Sequence, residues 1–333
     1  MNTTLSRGFA AFSAITAATA MLAGAHAMAQ SAAPTPVEEV DALNHVFGQH
    51  AGQRASHAKG FCAAGEFTPD RQASRLVQGP LFEQAKVPAL LRFSIGGGNP
   101  VASDKGRGVR GLALQLHGGG ESYNLALISE PVFFAATPAS FVSFLEARVA
   151  DPVTHKPDPQ KIAAHNARYP DGKLQPALLA SHAASTSYVT TPYFSNNAFV
   201  FTNAAGIRQT ARLVVEPDAG TQYLSADEEK SKPDSYLEAE LTARLARAPA
   251  GFTVFAQLPA AGDSLVDPSQ QWSGAQRIGL GRLQISKLAD SNSCDPVVFI
   301  PLQLPTGITA SDDPILKERN ASYAISLSRR LKQ

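Results

Sequence analysis

The sequence predicts an α+β fold: one antiparallel sheet, closed or nearly closed, with helices around it. Three observations point there. Between residues 54 and 134 the chain breaks into short runs joined by glycine-containing turns, the pattern of an antiparallel meander or barrel. Residues 138–185 switch to helical spacing among proline-containing loops. Strand patterns then return on both sides of one further helix.

The elements follow in order. Arg7, an Ala-rich apolar run over 9–24 and the small-residue sites Ala25-His26-Ala27 and Ala27-Met28-Ala29 read as a cleaved signal peptide, residues 1–29. The run is short for a membrane span, with a retained anchor as the alternative. The expected product is a periplasmic chain without a stable membrane anchor, residues 30–333 forming one domain. Residues 38–48 place Val40, Leu43, Val46 and Phe47 near helical spacing. His45 and His50 lie five apart and share no helical face, which argues against a metal site there. Strands are expected over 88–94 and 109–116, a hairpin turn at His117-Gly118-Gly119-Gly120, a return strand over 123–127 and another run over 131–134. Helices are expected over 138–149, 159–167 and 174–184. Strands follow over 194–201 and 207–216, with a turn at 203–206. Leu237, Leu241 and Leu245 recur at four-residue spacing and predict a helix over 236–248. The last expected strands are 252–258 and 282–287, with a short apolar run at 297–301.

Composition sets outer limits. Of 333 residues 44% are apolar, enough to bury a core. The net charge of +1 supplies no basic stripe, which argues against a nucleic-acid partner. Two cysteines, Cys62 and Cys294, are too few for structural zinc. An exported chain permits a disulfide between them, and the sequence leaves open whether they meet.

Three stretches carry chemistry. The first is Arg54-Ala55-Ser56-His57-Ala58-Lys59-Gly60. The second is Arg92-Phe93-Ser94, entering a glycine triplet. The third is Arg319-Asn320-Ala321-Ser322-Tyr323, followed by Arg330. On a helix Arg319 and Tyr323 share a face, so the guanidinium can donate to the phenol oxygen. Tyrosine is a known axial ligand of haem iron. His57 suits a proton shuttle, because imidazole titrates near neutrality, and Ser94 could fix its tautomer. Arg54, Arg92 and Arg330 could fork onto haem propionates. Phe134 and Phe141, at a strand-to-helix junction, could stack on a porphyrin. Taken singly, each arginine also reads as a surface charge, Tyr323 as a buried tyrosine and each phenylalanine as core.

Together these residues resemble the haem catalase superfamily, and most closely its short exported members, the catalase-related peroxidases. The matching stretches are Arg54-x-x-His57-Ala58-Lys59-Gly60; Arg92-Phe93-Ser94 with its run to Asp104-x-x-Arg107-x-Val109-Arg110-Gly111; Pro131-Val132-Phe133-Phe134 with Phe141; and Gly307-Ile308 through Arg319-x-x-x-Tyr323 to Arg330. The resemblance spans residues 40–331. It implies haem b, an antiparallel eight-stranded β-barrel with surrounding helices, Tyr323 as iron ligand, Arg319 as its hydrogen-bond partner, His57 as distal acid/base and Ser94 as its support. It places Arg54, Arg92 and Arg330 on the propionates and Phe134 and Phe141 beside the haem.

Four departures shape the expected activity. Ile128 stands where the family has an asparagine that helps to bind peroxide. Gly108 replaces a channel aspartate, suggesting a wider and less polar approach. Ala324-Ile325 replaces Pro-Asp after the tyrosine. The long C-terminal helical region and most of the N-terminal arm are missing, which favours a monomer or small homo-oligomer. The expected function is a haem b peroxidase that reduces hydrogen peroxide or an organic hydroperoxide with an organic electron donor and has weak catalase activity at most. The rivals are a true catalase, a fatty-hydroperoxide isomerase and a non-catalytic haem-binding protein.

Overall fold

Alternating apolar residues between 60 and 128 give four successive antiparallel strands in the computed structural model: β1 (Gly60–Pro69), β2 (Val87–Ile95), β3 (Arg110–Gly118) and β4 (Glu121–Ile128). The structure describes residues 1–3 and 33–332. Apart from residues 1–3, the expected signal peptide lies outside the described residues. From Ala33 onward the chain is one compact unit. Among the described residues no helix is long and apolar enough to cross a membrane.

The sheet continues through β5 (Tyr193–Phe194), β7 (Arg208–Pro217), β8 (Ala250–Gln257) and β9 (Arg277–Leu288). β9 pairs back onto β1, so eight strands close into an antiparallel barrel. Closure leaves no free edge on the ring. β6 (Phe199–Thr202) branches from β7 and carries β10 (Ile308–Ala310). The eight-stranded barrel with helices is the expected architecture.

Alternation decides what lies inside. Phe61, Ala63, Leu91, Phe93, Leu112, Leu114, Leu125 and Leu127 belong to the main core. Phe93 stacks on Tyr188 at 5.0 Å and meets Phe61 at 6.1 Å. The residues between them face outward. Cys62, with Cys294 and Phe299, forms a second apolar cluster against Leu90 and Ala113.

Helices cover part of that outer surface. α1 (Pro36–Phe47) starts on a Thr35–Glu38 capping box with Pro at its first turn. α2 (Pro138–Glu146), α3 (Pro159–Arg168) and α4 (Leu174–Ala180) form the insert, α5 (Ala226–Ser231) and α6 (Leu237–Leu245) precede β8, and α7 (Ser291–Cys294) follows β9. α8 (Pro314–Leu331) packs on α1 and α2. Arg329 pairs with Asp41 at 2.7 Å, and Ser322 hydrogen-bonds Glu39, joining α8 to α1.

Several expected boundaries shift. The run at 131–134 is not a strand; Phe133 N donates instead to Pro268 O at 2.8 Å in a loop. The expected strand 194–201 is two, split at Asn196, whose φ is +41°. α4 ends at Ala180 because the Ser181 hydroxyl turns back onto Leu178 O at 2.6 Å. β9 starts five residues before the expected strand, its glycines Gly279 and Gly281 breaking the apolar alternation in sequence.

Candidate active site

Strand register draws the site. On the outer face of the barrel Ser94 pairs with Gly111, Gly111 with Ile128 and Ile128 with Phe194. These four residues form one row across β2, β3, β4 and β5, in which Ser94 and Ile128 lie about 10 Å apart at the usual strand spacing. His57 lies on this row. Its Nδ1 is 2.9 Å from Ser94 Oγ, a contact that orients the ring and leaves Nε2 as the free nitrogen. A Cβ on Gly111 would come 2.6 Å from His57 Nδ1 and 2.5 Å from Ser94 Oγ. The imidazole therefore sits where only glycine leaves room.

His57 has a left-handed backbone, φ +56°, sparsely populated outside glycine. Arg92 holds it there. Its Nη1 donates to His57 O at 2.8 Å and its Nη2 to Ala58 O at 3.0 Å. Gly60 makes space for this buried guanidinium: a Cβ there would lie 2.8 Å from Arg92 Nη1. His57 itself keeps some accessible surface. Burial, with the positive charges of Arg92, Arg319 and Arg54, pushes its pKa down to about 4. The ring is neutral near pH 7 and ready to accept a proton.

The arginines cluster around one acid. Arg54 Nη2 donates to the carbonyls of Cys294, Asp295 and Val297 at 3.2, 3.1 and 3.0 Å, and its Nη1 to Asp295 Oδ1 at 3.3 Å. Among the described residues Arg92 Nε has no hydrogen-bond partner; Asp295 Oδ1 lies 3.5 Å away. Arg330 shares a cleft with Arg54, Ala55 and Ser326. Burial and the charges of Arg92 and Arg330 lower the Arg54 pKa to about 9, and burial also lowers those of Arg92 and Arg330. Three cations facing one half-exposed carboxylate leave positive charge to spare for a dianionic ligand edge.

α8 supplies the phenol. Arg319 Nη2 donates to the Tyr323 hydroxyl, and Arg319 Nη1 donates to Asn197 Oδ1 at 3.0 Å. Asn197 Nδ2 donates to Asp313 Oδ2 at 2.6 Å, while Asp313 Oδ1 caps α8 at Ile315 N and Leu316 N. A chain of hydrogen bonds thus runs Asp313–Asn197–Arg319–Tyr323. Ala55 N donates to Ser326 Oγ at 3.3 Å and ties the His57 segment to the same helix.

The structure stacks Phe134 on Phe141 at 5.3 Å, within a cluster that includes Phe133 and Phe144. Among the described residues that cluster makes no stacking or hydrogen-bond contact with His57 or Tyr323. Gly108 borders a cavity whose wall carries Arg107, Glu130 and His182. In that wall His182 Nε2 and Glu130 Oε1 lie 3.1 Å apart.

Sequence reading missed Asn197, Asp295, Asp313 and Phe194 as parts of the site, and Gly60 and Gly111 entered it only as motif letters. Asn197 had a faint signal in the Asn196-Asn197 pair interrupting an apolar run. Asp295 had none.

These residues fit a haem by their own geometry. The buried, unpartnered Arg92 Nε, the surplus of guanidinium charge and a phenol oxygen held by a guanidinium match the propionates and ferric iron of that group.

The catalase family model matches residues 25–333. The chain is 35% identical over 300 residues to a catalase-related peroxidase of Synechococcus elongatus, covering 89% of this chain and 88% of that protein. It is 34% identical over 301 residues to a catalase-related peroxidase of Mycolicibacterium paratuberculosis, covering 89% and 95%. Among solved structures it resembles a fungal catalase with a TM-score of 0.76 and 20% identity, over 86% of this chain and 61% of that one. It resembles catalase A from Saccharomyces cerevisiae with the same score at 21% identity, over 85% and 62%. The chain thus spans about three-fifths of the length of those two structures, and at this identity they speak for the fold alone.

Proposed function

The chain belongs to the catalase family, and on that premise we propose that it is a haem b peroxidase. It reduces hydrogen peroxide or an organic hydroperoxide at the expense of an organic electron donor, with weak catalase activity at most. Tyr323 would hold the iron and Arg54, Arg92 and Arg330 the propionates; when bound, haem supplies the redox-active centre that cleaves the peroxide bond. The protein supplies proton handling. His57 Nε2 takes a proton from the near oxygen of the peroxide and returns it to the far one, which leaves as water or alcohol. Ser94 and Gly111 hold the ring for both transfers. Arg319 steadies the phenol oxygen.

The observation that carries the peroxidase emphasis is the row beneath His57. Its third member is Ile128, and its fourth is Phe194. Neither side chain offers a hydrogen bond to a second peroxide, so reduction falls to another donor. The test compares initial rates on the haem-loaded protein. Oxidation of a small phenol by hydrogen peroxide or cumene hydroperoxide is expected to outrun oxygen release from hydrogen peroxide. Oxygen release far exceeding phenol oxidation overturns the reading in favour of a true catalase.

The same proposal places the protein in the periplasm as a monomer or small homo-oligomer. Cell fractionation and light scattering of the purified chain check the two parts.

A further inference from the structure

We propose that the Cys62–Cys294 disulfide is a positioning element for the cofactor-binding arginines and that it acts through Asp295 and the backbone beside it. The inference rests on the haem reading above. Cys62 stands on the outer face of β1, and its partner across the strand pair is Arg92 on β2. The bond to Cys294 crosses 232 residues of sequence and brings the start of an irregular strap over this face. Both cysteines are fully buried. The residues that follow at once are the ones that hold the arginines: the carbonyls of Cys294, Asp295 and Val297 accept from Arg54, and Asp295 Oδ1 faces both Arg54 and Arg92.

Around Asp295 the strap has only short local turns. α7 is four residues long, and between it and β10 the chain has no regular structure. At its start Phe299 and Val297 pack beside the disulfide and Ala289 N donates to Cys62 O at 3.0 Å; further along, Asn124 N donates to Gln303 O at 2.9 Å and Leu302 and Leu304 pack on the main core. The Asp295 side chain is 49% exposed, so its ion pairs are screened and worth little by themselves. The covalent bond therefore adds rigidity that the screened ion pairs lack, and it does so three residues or fewer from Arg54's acceptors. Arg92 in turn holds the backbone carbonyl of His57.

The test titrates haemin into the haem-free protein and follows binding by absorbance, alongside thermal unfolding of each variant. The double variant Cys62→Ala/Cys294→Ala is expected to bind haemin about tenfold more weakly, and Asp295→Asn a few-fold more weakly, in keeping with the effect of outer residues that orient ligand-holding groups. Adding Arg54→Ala to the cysteine variant is expected to weaken binding by less than it does in the parent, because one pathway is lost in both. A cysteine variant that melts earlier yet binds haemin as tightly as the parent overturns the inference and reduces the disulfide to a stabilising link. Should that variant not fold, Asp295→Asn decides, and unchanged affinity there overturns the inference as well. A parent protein that fails to bind haemin overturns both this inference and the function it rests on.

Discussion

His57 shows how one residue's chemistry is set by its neighbours. Its pKa lies near 4 in the fold and near ~6.5 in an unfolded chain. Between those values the unfolded state binds the proton that the folded state refuses, so stability falls as the pH drops from about 6.5 to about 4. Thermal unfolding of the haem-free chain across that window should show the decline, and His57→Gln, which does not titrate, should flatten it. The same shift keeps the imidazole neutral in mild acid, so the acid limb of peroxide reduction is expected near pH 4 rather than near 6.5. Ile128 gives a second expectation. Ile128→Asn returns a hydrogen-bond donor to the row shared with Ser94 and Gly111, and a charge-free bond of about 1–1.5 kcal/mol predicts a rise in oxygen release of about tenfold relative to phenol oxidation. An oxygen electrode measures it directly. At this scale the pairings of His57 with Ser94 and of Arg319 with Tyr323 were legible, because each residue lies in a short motif. Asn197 was not, since its role depends on Asp313 and Arg319 arriving from more than a hundred residues away.

Elements were legible where their period was clean. The strand pattern of 88–94 became β2, and the four-residue leucine spacing became α6. It failed at 194–201, where Ser195, Asn196 and Asn197 interrupt the apolar run. The break occurs because those polar side chains have better partners than a ladder: Ser195 Oγ donates to Asn197 O at 2.7 Å, and Asn196 Nδ2 donates to Glu130 O at 2.8 Å. α8 depends on the same break. Asp313 caps its first turn and also holds Asn197, so Asp313→Ala removes the cap and orphans a buried amide. The expected loss is about 2–4 kcal/mol, more than a cap alone, seen as a lower melting temperature. Asp313→Asn keeps an acceptor for the cap and should lose less.

The whole molecule is organised by closure. β1 pairs with β2, next in sequence, and with β9, more than two hundred residues on. No strand can leave without opening the ring, so the barrel and its outer face should unfold together. Phe252, fully buried on β8 and 5.9 Å from Tyr193, tests this. Phe252→Ala is expected to cost about 3–5 kcal/mol. Far-ultraviolet circular dichroism and the fluorescence of Trp272 should report one coincident transition, whereas separated transitions would contradict closure as the organising constraint.

Local events follow from short stretches of the chain alone. Alternation made strands, glycines marked turns, capping residues started helices, and the spacing of Arg319 and Tyr323 put guanidinium and phenol on one helical face. The sequence also carried the resemblance from which the eight-stranded barrel followed. Folding in three dimensions sets which outward-facing residues share a row, that Cys62 meets Cys294, that Asp295 stands among the arginines, and that Asn197 bridges Asp313 to Arg319. The physical reason is range. Dihedral preference and periodicity act within a few residues, while register, barrel closure and burial of charge emerge from many weak contacts between segments that no short window contains.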